Sequence, residues 1–69
     1  MDSLGARVKF HRLQQNLSVR ELARRAGVSV SYVYAVEAGV RGHNIVKLQR
    51  IAEALGVPIS ELWVGDDSK

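Results

Sequence analysis

The groups in this 69-residue chain that could react or ligate are two histidines, ten Lys/Arg residues and several serines, with no cysteine at all. His11 and His43 have no carboxylate four residues away, the spacing that would set two metal ligands on one helical face. Imidazoles so placed are structural or surface groups, and neither a metal nor a cofactor is expected. Ser18 and Ser29 fall just before apolar runs, where helix caps are needed. No glycine-rich phosphate loop follows a strand, because no strand-like alternation occurs. Catalysis therefore finds no supporting constellation, and the chain is not expected to be an enzyme.

Charge is the stronger signal. The formal net charge is +3, but residues 1–50 hold nine Lys/Arg against three acids, a balance of +6, while residues 51–69 balance to −3. A basic front and an acidic back point to a polyanion that meets one side only. No apolar run is long enough for a membrane span, and the amino terminus lacks a signal-peptide core. A soluble, cytoplasmic, nucleoid-associated chain with no membrane partner is the expectation.

Positioning these charges falls to short helices. Asn16, Gly27, Gly39, Gly56 and Gly65 are residue types that tolerate the left-handed conformation at a helix end. Between them the pattern predicts a first helix over about 3–15, with Leu4, Val8 and His11 on one stripe and Arg12 at its edge. A second, over 19–26, starts with Ser18 and Glu21 as a capping box and Leu17 and Leu22 as a hydrophobic staple. Ser29 caps the third, over about 30–38, with Val28 and Val33 as its staple. Asn44 caps the fourth, whose inner face is Ile45, Leu48, Ile51, Ala52 and Leu55. Pro58 opens a fifth, over about 58–63. Only Gly27, Val28 and Ser29 separate the second and third helices, so the chain must turn sharply, as in a helix-turn-helix.

The third helix has an unusual outer face. Tyr32, Val33 and Val36 share the inward arc, with Glu37 at its margin; the opposite arc holds Val30, Ser31, Tyr34, Ala35 and Ala38. Small uncharged side chains let a helix approach another surface closely, as at the floor of a DNA major groove. Val30 and Ala35 can touch thymine methyl groups, Ser31 can hydrogen-bond a base edge or a phosphate, and Tyr34 can reach a base or the sugar-phosphate wall. Arg20, in the first turn of the second helix, is placed for a phosphate; Lys9 and Arg24 are weaker candidates, and Arg25 and Arg50 are ordinary surface charges.

The stretches "LGARVKFHRLQQNLSVRELARRAGVS", "SYVYAVEAG" and "LQRIAEALGVPISELW" resemble the Cro and phage-repressor family of helix-turn-helix proteins, also called the XRE family, over Leu4 to Trp63. The resemblance implies an all-α fold: a compact five-helix bundle with a central helix-turn-helix, a lambda-repressor-like DNA-binding domain. It further implies a homodimer that binds double-stranded DNA in transcription control. Carried onto this chain, the base-reading set is Val30, Ser31, Tyr34 and Ala35. The phosphate-binding set is Arg12, Arg20, Tyr32, Arg41, His43 and Asn44. Arg12 and Glu37 are implied to form a partly buried ion pair. The chain departs from the family's pattern at Val19, often a phosphate-contacting glutamine, at His43, often a proline, and on the third helix, where base-reading glutamines are missing.

Residues 1–65 are thus expected to form the DNA-binding domain and 66–69 a flexible acidic tail. Ile59, Trp63 and Val64 are left at the rim of the bundle and are expected to form a two-fold contact. A dimer would set two third helices about 34 Å apart on a palindromic operator, most simply as a repressor. The alternative is an antitoxin or other interaction module whose main role is to bind a partner protein through the fourth and fifth helices.

Overall fold

The computed structural model describes residues 3–40 and 44–62, and every regular element among them is helical. In chain order these are α1 (Leu4–Gln14), α2 (Val19–Ala26), α3 (Val30–Glu37), α4 (Ile45–Leu55) and the single turn α5 (Ile59–Leu62). Tail residues 66–69 and the rim residues Trp63 and Val64 lie outside the described residues, as do Arg41 and His43.

Side-chain caps start the four longer helices. Ser3, Ser18, Ser29 and Asn44 are extended at their own backbones, and each side-chain oxygen accepts from the amide three residues on: Ala6, Glu21, Tyr32 and Lys47 at 3.0–3.2 Å. Each cap satisfies an amide that the helix itself cannot, a contribution of about 1 kcal/mol. The capping box at Ser18 is only half formed. Glu21 turns its carboxylate to Arg24 and Arg25 instead of back to the cap, because two charge-assisted bonds outweigh one to an amide.

The same helices end alike. Leu17, Val28, Val40 and Val57 each donate an amide to the carbonyl five residues back, at 2.9–3.0 Å, just after a residue of positive φ. This is the Schellman arrangement. At Gly27 (φ 71°) it ends α2, and only Val28 and Ser29 follow before α3 begins and packs back against α2. Asn16 (φ 58°) does the same for α1 without being glycine, as asparagine can.

The core is built from Val8, Leu17, Val19, Leu22, Ala23, Ala26, Val33, Val36, Leu48, Ile51, Ala52, Leu55 and Leu62, with Tyr32 at its edge. α2 packs on both α3 and α4, α1 packs on α3 and α5, and α5 closes the space between α1 and α4. Arg7 ties α5 down by donating to the Glu61 carbonyl at 3.0 Å, and Gln15 ties α1 to the end of α4 through the Leu55 carbonyl at 2.6 Å.

Three expectations are corrected. In α1 the buried stripe is Gly5, Val8 and Arg12, with His11 only half-buried, because α1 lies too close to α3 for larger side chains at position 5. Ile45 is exposed instead of inward. It lies in the first turn of α4, where none of the described residues covers it, although its period matches that of Leu48 and Ala52. The fifth helix begins at Ile59 and not at Pro58, which contributes its carbonyl to the Glu61 amide from outside the helix.

Candidate nucleic-acid interface

The outer face of α3 follows from its cap and its inner stripe. Ser29 sets the entry angle, and Val33 and Val36, both fully buried, fix the rotation of the helix about its axis. Ser31 and Tyr34 are then exposed, while Val30 and Ala35 are half-buried at the shoulders. Tyr34 shows 58% of its surface, a large aromatic area for a helix that carries no charge on this side.

Arg20 stands in the first turn of α2, exposed, and forms no ion pair among the described residues. It lines a surface hollow of about 570 Å³ with Ser18, Glu21, Ala23, Arg24, Val28 and Val30, beside the start of α3. Its neighbours are less available. Glu21 accepts from Arg24 at 2.6 and 2.8 Å and from Arg25 at 2.9 Å. Those bonds, Arg24's first, hold the Glu21 carboxyl below its ordinary range. Arg24 therefore carries its own counter-charge to the hollow, and Arg20 is the unneutralised cation there.

Arg12 and Glu37 do meet across α1 and α3. The guanidinium donates from Nε to Oε2 at 2.7 Å and from Nη2 to Oε1 at 3.1 Å, and from Nη1 to the Leu17 carbonyl at 2.8 Å. Both side chains are about nine-tenths covered. The bond to Glu37 raises the Arg12 pKa against the opposing effect of burial. Three of the five guanidinium N–H groups are thus spent inside the protein, so any phosphate contact must use the remaining edge.

Tyr32 differs from expectation. Its hydroxyl oxygen is buried and therefore not presented to a phosphate in this conformation. The ring instead supports Lys47, whose Nζ lies 4.9 Å from the ring centroid. Sequence reasoning missed Lys47, a lone cation with no periodic partner; the signal lies in tertiary contact across fifteen residues. Asn44 spends its side-chain oxygen on the cap of α4, leaving its amide NH2. Ile59 is half-buried against the core. No group of three or more His, Cys, Asp or Glu residues able to hold a metal occurs among the described residues.

A sharply turned pair of helices with a small-residue outer face and flanking cations is the geometry of a DNA reader. Comparison with known proteins agrees. Residues 8–62 match the helix-turn-helix family HTH_3. An uncharacterized HTH-type transcriptional regulator of Mycobacterium tuberculosis is 38% identical over 60 residues, which is 87% of this chain but 43% of that protein, so the chain spans less than half of that relative's length. The restriction-modification controller protein C.AhdI from Aeromonas hydrophila superposes with a TM-score of 0.83 at 35% identity, covering 87% of this chain and 91% of that one. The biofilm regulator SinR, solved in complex with DNA, superposes with a TM-score of 0.81 at 32% identity, covering 86% and 95%. The chain belongs to the HTH_3, or XRE-type, helix-turn-helix family of DNA-binding transcription regulators, which are not enzymes.

Proposed function

We propose that this chain binds a roughly palindromic operator as a homodimer, inserts α3 into the major groove and acts as a repressor. The observation that carries this reading is the outer face of α3, where exposed Ser31 and Tyr34 and half-buried Val30 and Ala35 form an uncharged, closely approachable surface beside Arg20. Val30 and Ala35 contact thymine methyls, Ser31 and Tyr34 contact base edges or the adjoining backbone, and Arg20, Asn44 and the free edge of Arg12 contact phosphates. Arg41 and His43, which precede α4 in the sequence, extend that set. With no arginine, lysine or glutamine on the reading face, backbone contacts and DNA shape carry most of the affinity.

Dimerisation through Ile59, Trp63 and Val64 keeps the acidic end of the chain away from the DNA and sets the two α3 helices one helical turn apart. The location that fits this role is the cytoplasm, where the nucleoid is. Selection of bound fragments from random duplexes tests the whole reading at once. The expected product is a site with two inverted half-sites about one turn apart, lost when Ser31 and Tyr34 are both replaced by alanine. Fragments without dyad symmetry would remove the homodimer, and binding indifferent to the double replacement would remove the assignment of α3.

A second reading rests on exposed apolar side chains of α4. Ile45 and Val46 stand more than half exposed on α4, beside Gln49, Arg50 and Glu53. Such a pair supports a protein partner on α4, as the interaction-module alternative requires. Pull-down with and without competing duplex separates the two functions.

A further inference from the structure

We propose that Lys47, held against the ring of Tyr32, binds a DNA phosphate on the opposite side of α3 from Arg20, so that the reading helix is clamped from both flanks. The proposal rests on the placement of α3 in the major groove, and it adds a binding residue that neither charge pattern nor family resemblance singles out.

Two hollows straddle the first half of α3. One is lined by Arg20, Arg24, Val28 and Val30; the other, of about 320 Å³, is lined by Ser29, Ser31, Tyr32, Ala35 and Lys47. Ser31 and Ala35 are residues of the reading face itself, so Lys47 stands at the margin of whatever that face meets. A helix in a major groove has a sugar-phosphate wall on each side, and a single cation row on one flank would leave it free to roll. Lys47 supplies a positioned cation on this flank, three residues along α4 from Asn44.

Its availability is visible in the contacts. Lys47 is exposed and forms no ion pair among the described residues. Its ammonium sits over the face of Tyr32, where the ring quadrupole attracts a cation without consuming its N–H donors as a carboxylate would. The base of the side chain is fixed too, because the Lys47 amide donates to the Asn44 cap at 3.1 Å. Tyr32 is anchored in turn by the cap at Ser29 and by burial at the edge of the core. A long flexible side chain is thereby held at one place beside Ser31, which lowers the ordering cost of a phosphate contact.

The test is the salt dependence of binding by the intact chain to a mixed-sequence duplex of about 30 base pairs, roughly three helical turns. Wild type is compared with Lys47→Gln, Lys47→Arg, Arg20→Gln and the Lys47→Gln/Arg20→Gln double variant, each checked for helicity and melting. Loss of one phosphate contact flattens the plot of log affinity against log salt by about 0.9 per protomer. Lys47→Gln and Arg20→Gln are each expected to show that change, the double variant twice it, and Lys47→Arg none. Tyr32→Phe keeps the ring and is expected to keep the wild-type slope. An unchanged slope for Lys47→Gln beside a flattened one for Arg20→Gln overturns the clamp and leaves the DNA reading standing. A wild-type slope near zero overturns both.

Discussion

Arg12 and Glu37 face each other in a two-point contact across α1 and α3, and the same guanidinium reaches back to the Leu17 carbonyl at the end of α1. One side chain therefore ties three places together: the first helix, its terminal turn and the end of the reading helix. Both side chains are about nine-tenths covered, so removing either partner leaves a buried charge without its counter-ion, which costs about 3–5 kcal/mol. Glu37→Ala is expected to lose that much in urea denaturation. A loss below about 1 kcal/mol, the value for exposed pairs, would show that the contact opens in solution.

Gly5 lies where α1 crosses the end of α3. A Cβ there would meet the backbone carbonyl of Val36 and would stand 2.7 Å from the Glu37 oxygen. Backbone atoms at a helix end cannot swing aside as a side-chain tip can, so Gly5→Ala must push the two helices apart. Overpacking of this kind costs about 1–3 kcal/mol, more than the helix-propensity gain of alanine. The expected result is a lower urea midpoint with an unchanged slope; a stabilised Gly5→Ala variant would contradict the close crossing.

These two relationships also mark where the sequence stops being legible. The caps at Ser18, Ser29 and Asn44 and the turns at Gly27 and Gly56 are local signals, readable because each acts within a few residues of itself. The buried faces of α2, α3 and α4 follow from spacing alone, since Leu22, Val33, Val36, Leu48 and Leu55 repeat at helical periods. Spacing gives no hint that Arg12 meets Glu37; only the family resemblance implies it. The crossing at Gly5 and the Lys47–Tyr32 contact are likewise tertiary, and a helical wheel cannot register which helix lies opposite. Ile45 misleads for the same reason: it has the right period, but nothing among the described residues covers it.

Acid sensitivity is expected at Glu21. Its carboxyl is held below the ordinary value of 4.5 by bonds from Arg24 and Arg25, so the folded state favours the ionised form. Stability from this cluster is present above the unfolded-state value and is lost as pH falls through the lower folded-state value. Wild type and Glu21→Gln should therefore differ in melting temperature at neutral pH and converge as pH falls below the ordinary carboxyl value and through the lowered folded-state one. Curves that stay parallel through that range would remove the cluster as a source of stability.

The last prediction separates folding from binding at a single position. Ser31 is exposed in the first turn of α3, where the helix dipole favours a negative charge by about 0.3–1 kcal/mol. Ser31→Glu should leave the melting temperature unchanged or slightly raised. On DNA the same carboxylate would face the bases and phosphates across a desolvated contact, next to the hollow that holds Lys47. Affinity for duplex should fall at least about tenfold, a cost of about 1.4 kcal/mol. Gln49→Glu, an added acid on the exposed face of α4, is the control and should change affinity far less. Equal effects at the two positions would mean that net charge alone governs binding, and that α3 does not enter the groove.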